Sequence, residues 1–125
     1  MGAGDGSDLS RYLQWGTSAA LVVDADETVV KDLSPVVETR PGWHLVNALL
    51  GDRVGEVDYY LATNPSESAI FPPERLSPIW RNLRTAELRP MNAVTLETLI
   101  DGAGLLSSQF NWAFIDCLPA LPILI

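Results

Sequence analysis

Residues 19–23, Ala-Ala-Leu-Val-Val, form an unbroken apolar run of strand length that stops on Asp24-Ala-Asp-Glu27. A strand with one wet face alternates apolar and polar residues. A run without that alternation suits a strand covered on both faces, as in a parallel sheet flanked by helices. Acidic residues straight after the run are favourable at a helix N-terminus, so a strand-to-helix turn is expected there. The helix is expected to run through Val29, Val30 and Leu33, with Pro35 and Pro41 limiting its length. Residues 43–50 (Trp-His-Leu-Val-Asn-Ala-Leu-Leu) read as a second buried strand.

Upstream, residues 2–6 form a glycine loop, and Ser7 or Asp8 is placed to cap the helix that follows. Leu9, Tyr12 and Leu13 recur at helical spacing, and Gly16 ends that helix. Downstream, Gly51 to Gly55 reads as a turn and Glu56 to Ala62 as a strand. The Pro- and Ser-rich residues 63–78 read as a long surface loop. Ile79 to Leu88 is expected to be helical and Pro90 to Val94 extended. Thr95 is expected to cap a helix with Leu96, Leu99 and Ile100 on one face, closed by Gly102 and Gly104. Asn111 to Ile115 is expected as a strand ending on Asp116. Strands alternating with helices point to an α/β sandwich around a mostly parallel sheet, formed by one domain over 1–125.

Charge and cysteine usage narrow the partners. Eight Lys and Arg against sixteen Asp and Glu give a formal net charge of −8, which repels phosphate backbones and anionic membranes. No nucleic-acid or membrane partner is expected. The single cysteine, Cys117, excludes an internal disulfide, and with one histidine a zinc site would have to lean on carboxylates; no metal is expected. No apolar run reaches the length of a membrane span. The N-terminus lacks the basic and apolar regions of a secretory signal, and the expected setting is cytoplasmic.

The glycine loop carries the functional expectation. Gly-x-Gly-x-Gly ahead of a helix lets the backbone turn sharply and approach a ligand. In open α/β sheets, ligands bind beyond the carboxyl ends of the strands. Asp24 lies twenty residues after Gly4, the spacing of an acid that accepts hydrogen bonds from a ribose. Ser7 stands where a dinucleotide fingerprint has its third glycine. Asp5 inside the loop would face a pyrophosphate with like charge, so the loop better suits a ligand bearing a cation, such as an amino-acid head or a sulfonium. That points to S-adenosyl-L-methionine; a nicotinamide or other nucleotide remains an alternative, as does a merely flexible glycine-rich terminus.

Gly2-Ala-Gly-Asp-Gly6 resembles motif I of class I S-adenosylmethionine-dependent methyltransferases, and Val22-Val-Asp-Ala-Asp26 resembles their second strand with its acid. Val46-Asn-Ala-Leu-Leu-Gly-Asp52, Gly55-Glu-Val-Asp-Tyr59, Ser66-Glu-Ser68, Val94-Thr-Leu-Glu-Thr-Leu99 and Phe114-Ile-Asp116 are similar, in the same order, to the FkbM-type methyltransferase family. The resemblance implies a Rossmann-like three-layer sandwich that transfers a methyl group to a hydroxyl on a small molecule or sugar. It implies that Gly2, Gly4 and Gly6 lie against the methionine part of the cofactor and that Asp24 holds the ribose hydroxyls. Asn47 and Ala48 would lie near the adenine. Asp116 would face the methyl group and the acceptor; the alternative for Asp116 is a strand-end residue capping the next turn.

The sequence departs from the family at both ends. The strand expected before the glycine loop is missing except for Met1. Cys117-Leu-Pro-Ala-Leu-Pro122 replaces the family's Glu-Gly-Ala-Glu type segment, and the remaining strands of the fold do not follow. The expectation is therefore an incomplete domain, with a catalytically inactive remnant or interaction module of the same α/β shape as the alternative. Among the other candidates, His44 reads as structural and Cys117 as a buried small residue. The four tryptophans read as core. Arg75, Arg81, Arg84 and Arg89 could meet an anionic acceptor, although a solvated helix face is the commoner setting for such a group.

Overall fold

The computed structural model describes residues 1–117; the expectations placed on 118–122 lie outside the described residues. Among the described residues the fold is mixed α/β, with three α-helices and two small sheets. The chain divides into two compact units, Met1–Ala48 and one that begins at Leu49.

The first unit is built on a β-α-β crossover. Helix α1 (Leu9–Gln14) precedes strand β1 (Ala20–Asp24), helix α2 (Glu27–Val37) and strand β2 (Trp43–Asn47). β1 and β2 pair in parallel from Ala20 opposite Trp43 to Asp24 opposite Asn47. Parallel neighbours need a crossover connection, and α2 provides it. The side chain of Asp26 caps α2 by accepting from the Thr28 amide at 2.8 Å. Pro35 sits inside α2, which continues to Val37. In the last turn a proline removes only one intrahelical bond close to where the ladder ends anyway. At α1 neither Ser7 nor Asp8 gives a side-chain cap; Asp8 instead pairs with Arg11 at 2.6 Å. α1 closes through Gly16 N–H to Leu13 O and Thr17 N–H to Tyr12 O, the paired bonds of a Schellman motif. Leu9, Val22, Leu33, Val37 and Trp43 form the buried cluster of this unit.

The second unit is centred on a three-stranded sheet of order β3-β5-β4, with β3 at Leu49–Leu50, β4 at Gly55–Ala62 and β5 at Thr85–Val94. β4 and β5 are antiparallel, whereas the short β3 runs parallel to the end of β5. Between β4 and β5, Tyr60 and Ala69 exchange backbone hydrogen bonds at 2.8 and 3.1 Å, folding the connecting loop back on β4. Two 3₁₀ turns, Pro65–Glu67 and Pro73–Leu76, punctuate that loop. Helix α3 (Leu96–Gly102) is capped by Thr95, whose hydroxyl accepts from the Thr98 amide at 3.1 Å, and it buries Leu99 and Ile100.

Four expectations are corrected. The single mostly parallel sheet is instead two small sheets, one a parallel pair and the other mixed. The strand expected over 43–50 is divided at Ala48: its amide donates to Asp24 O at 2.9 Å as the last bond of the β1–β2 ladder, and the following Leu49 and Leu50 pair with β5 instead. The helix expected over Ile79–Leu88 is not formed. Residues 85–94 pair with β4, and the helical spacing of Leu76, Ile79 and Leu83 yields only turns such as Trp80 N–H to Leu76 O. Asn111 to Ile115 carries no strand, so Asp116 does not stand at a strand end. The apolar residues of that segment are consistent with a strand, but a strand exists only where a ladder forms, and residues 111–114 are exposed.

Candidate cofactor site

The glycine loop folds against the carboxyl end of β1. Gly2 N–H donates to Val23 O at 3.0 Å, Gly6 N–H to Ala3 O at 3.1 Å and Leu9 N–H to Gly6 O at 3.0 Å. Gly2, Gly4 and Gly6 have φ of 69°, 54° and 74°, a region that L side chains adopt at a cost. Gly6 also has no room for a side chain, since a Cβ there would collide with the buried Leu33 of α2. Around Gly4 the space is open.

Asp24 is the junction of this region. One carboxylate oxygen accepts from Gly4 N–H at 3.1 Å and the other from Asp26 N–H at 2.9 Å. Its carbonyl oxygen accepts from Ala48 N–H at 2.9 Å and from the Asn47 side-chain amide at 3.0 Å. The same Asn47 nitrogen donates to Ala25 O at 3.1 Å. One residue thus ties together the loop, the start of α2 and the end of β2. Asp24 is half-buried, and each carboxylate oxygen keeps a further lone pair for a hydroxyl donor.

Asp5 makes the corresponding local turn inside the loop, accepting from Ser7 N–H at 2.9 Å. Hydrogen bonding from Ser7, its backbone amide first, holds the Asp5 carboxyl below its ordinary value of 3.8. The loop therefore carries a full, exposed negative charge at neutral pH.

The structure brings Gly2, Gly4, Gly6, Asp24, Asn47 and Ala48 together at the carboxyl ends of β1 and β2. Asn47 and Ala48, expected near an adenine, spend their N–H groups on the backbone of the Asp24 turn. Asp116 is exposed in the second unit. Sequence reasoning missed the clamping role of Asn47, for which an Asn closing a strand was the available signal.

The remaining candidates are dispersed. His44 is exposed on β2 and Cys117 is half-buried. Of the tryptophans only Trp43 is core; Trp15, Trp80 and Trp112 are exposed, which corrects the expectation for those three. The arginines do not share a helix face. Arg84 donates to the carbonyls of Arg81 and Leu83, and Arg89 pairs with Glu87. Among the described residues no group of three or more His, Cys, Asp or Glu is placed to hold a metal, and no helix is long and apolar enough to cross a membrane. No family model matches the chain, and no curated protein or solved structure is significantly similar to it.

Proposed function

We propose that the chain binds S-adenosyl-L-methionine through its first unit, in a Rossmann-like arrangement and a cytoplasmic setting. On this reading it acts as an FkbM-type methyltransferase on a hydroxyl of a small molecule or sugar. The observation that carries the reading is the Gly4–Asp24 hydrogen bond, which closes a glycine loop over the carboxyl end of a parallel strand. The donor set fits the group. Asp24 has lone pairs left for two ribose hydroxyls, the space at Gly4 is open to a close approach, and the charged Asp5 favours a cationic ligand over a pyrophosphate.

When bound, the cofactor supplies an electrophilic methyl group on a sulfonium. The chain's own residues then do the positioning. The loop amides and Asp24 fix the ligand, and the protein's contribution to an in-line displacement is to hold the acceptor oxygen in line.

The alternative, an inactive module of the same α/β shape, is favoured by one observation: residues 111–115 carry no strand to present Asp116. Calorimetric titration with S-adenosylhomocysteine and, in parallel, with NAD separates the readings. Saturable binding of the first alone supports the methyltransferase reading. Binding of NAD alone replaces it with a nicotinamide protein, and binding of neither leaves the inactive module.

A further inference from the structure

The second unit carries an open surface hollow of about 430 Å³ at the end of the β4–β5 ladder. Its floor is the buried Leu83, and its sides are two turns, one at the start and one at the end of the long connecting loop. The turns are pinned rather than loose. Thr63 N–H donates to Arg84 O at 2.9 Å and Arg84 N–H to the Thr63 hydroxyl at 3.2 Å, joining the two walls at their base. The Arg84 guanidinium holds the carbonyls of Arg81 and Leu83 at 2.8 and 2.7 Å, which fixes the turn that presents Trp80. On the opposite wall, Glu67 N–H donates to Asn64 O at 3.0 Å within the 3₁₀ turn.

What lines the hollow is an indole set among polar groups of balanced sign. Trp80 is 45% exposed and Ile79 69% exposed, although both side chains are large and apolar. Around them stand two carboxamides, Asn64 and Asn82, one carboxylate, Glu67, and one guanidinium, Arg81. Among the described residues, none of these four side chains makes a hydrogen bond or ion pair within the chain. Donors and acceptors are therefore both on offer, with the single positive and single negative charge offsetting each other.

We infer that this hollow is a saccharide-binding site: a neutral sugar ring stacks on the Trp80 face while Asn64, Glu67, Arg81 and Asn82 hydrogen-bond its hydroxyls. An aromatic face attracts the weakly positive C–H surface of a sugar ring through its quadrupole. A mixed rim of amides and opposite charges matches hydroxyls, which donate and accept at once. An anion would gain Arg81 but face Glu67, and a purely apolar ligand would leave the four polar groups stripped of water without partners. The inference concerns the second unit alone and does not depend on cofactor binding.

The test follows the four tryptophan indole N–H signals of the full chain by NMR, with the Trp80 signal assigned by its loss in Trp80→Phe. The probes are methyl glucoside, methyl galactoside and cellobiose, with inorganic phosphate as the anionic control. The expected result is saturable movement of the Trp80 signal by at least one saccharide, with affinity on the order of 1 mM, and no movement with phosphate. Either Glu67→Gln or Asn82→Ala should weaken that affinity by about threefold or more, with the remaining spectrum unchanged. The inference is overturned if no saccharide moves the signal, if phosphate does so, or if neither variant alters the affinity.

Discussion

The backbone amide of Gly4 donates to the carboxylate of Asp24 at 3.1 Å across twenty residues of sequence, while the other oxygen of that carboxylate holds the Asp26 amide at 2.9 Å. The acid at the end of β1 is thus a fastener for the loop as well as a candidate ribose ligand. Asp24→Ala should therefore lower affinity for S-adenosylhomocysteine by about 1–3 kcal/mol, through the lost ligand bonds and the released loop. Asp24→Asn keeps one carbonyl acceptor and should fall between the two. Titration calorimetry on the three proteins checks the order.

Two glycines of the same loop should respond differently to a single methyl group. Gly4→Ala adds a side chain into open space and costs about 1–2 kcal/mol of stability, from the positive φ alone. Gly6→Ala carries the same backbone cost and also overpacks Leu33, for a total of about 2–4 kcal/mol. Urea unfolding midpoints give the ranking, and equal losses would remove the packing role assigned to Gly6.

Helix capping gives a third expectation. Asp26→Ala and Thr95→Ala each delete an observed side-chain acceptor, from Thr28 N–H and Thr98 N–H, and each should destabilise by about 1 kcal/mol. Asp8→Ala removes no cap in α1, only an exposed pair with Arg11, and should cost well below that. Denaturation of the three variants under one condition is the measurement.

The pH dependence has a defined sign at Glu74. Its carboxylate accepts from the Thr85 amide at 2.6 Å and from the Thr85 hydroxyl at 2.9 Å, and the amide bond foremost holds the group below its ordinary value of 4.5. A folded-state pKa below the unfolded one gives stability that is complete above the unfolded value and lost as pH falls through the folded one. The stability difference between the native chain and Glu74→Gln should be constant above about pH 6 and should shrink on acidification towards about pH 3. Parallel profiles over that range would show that the clamp on Thr85 is not linked to ionisation.

Local chemistry made much of the first unit legible, and one helix start of the second. The acids after Val23, the apolar spacing of α2 and the Thr95 cap each depend on residues within one turn of the chain. Wherever the deciding partner lay far away in sequence, the reading failed. Leu76, Ile79 and Leu83 keep helical spacing, yet Glu74 and Thr63 capture Thr85 and Arg84, and β4 draws the next residues into a ladder. Asn111–Ile115 has strand composition without a strand, and residues 43–50 are divided at Ala48 because β1 pairs only as far as Asn47 while Leu49 and Leu50 pair with the distant Ala93 and Val94. At the candidate site the residue types were legible from spacing. The network joining them was not, because Asn47 acts on a carbonyl twenty-three positions away.

The most direct measurement is the titration of S-adenosylhomocysteine into the full chain and into Asp24→Ala under identical conditions. The account predicts saturable one-site binding to the native chain, weakened by about fivefold or more in the variant. Absence of binding to the native chain, or equal affinity in the two proteins, would contradict it.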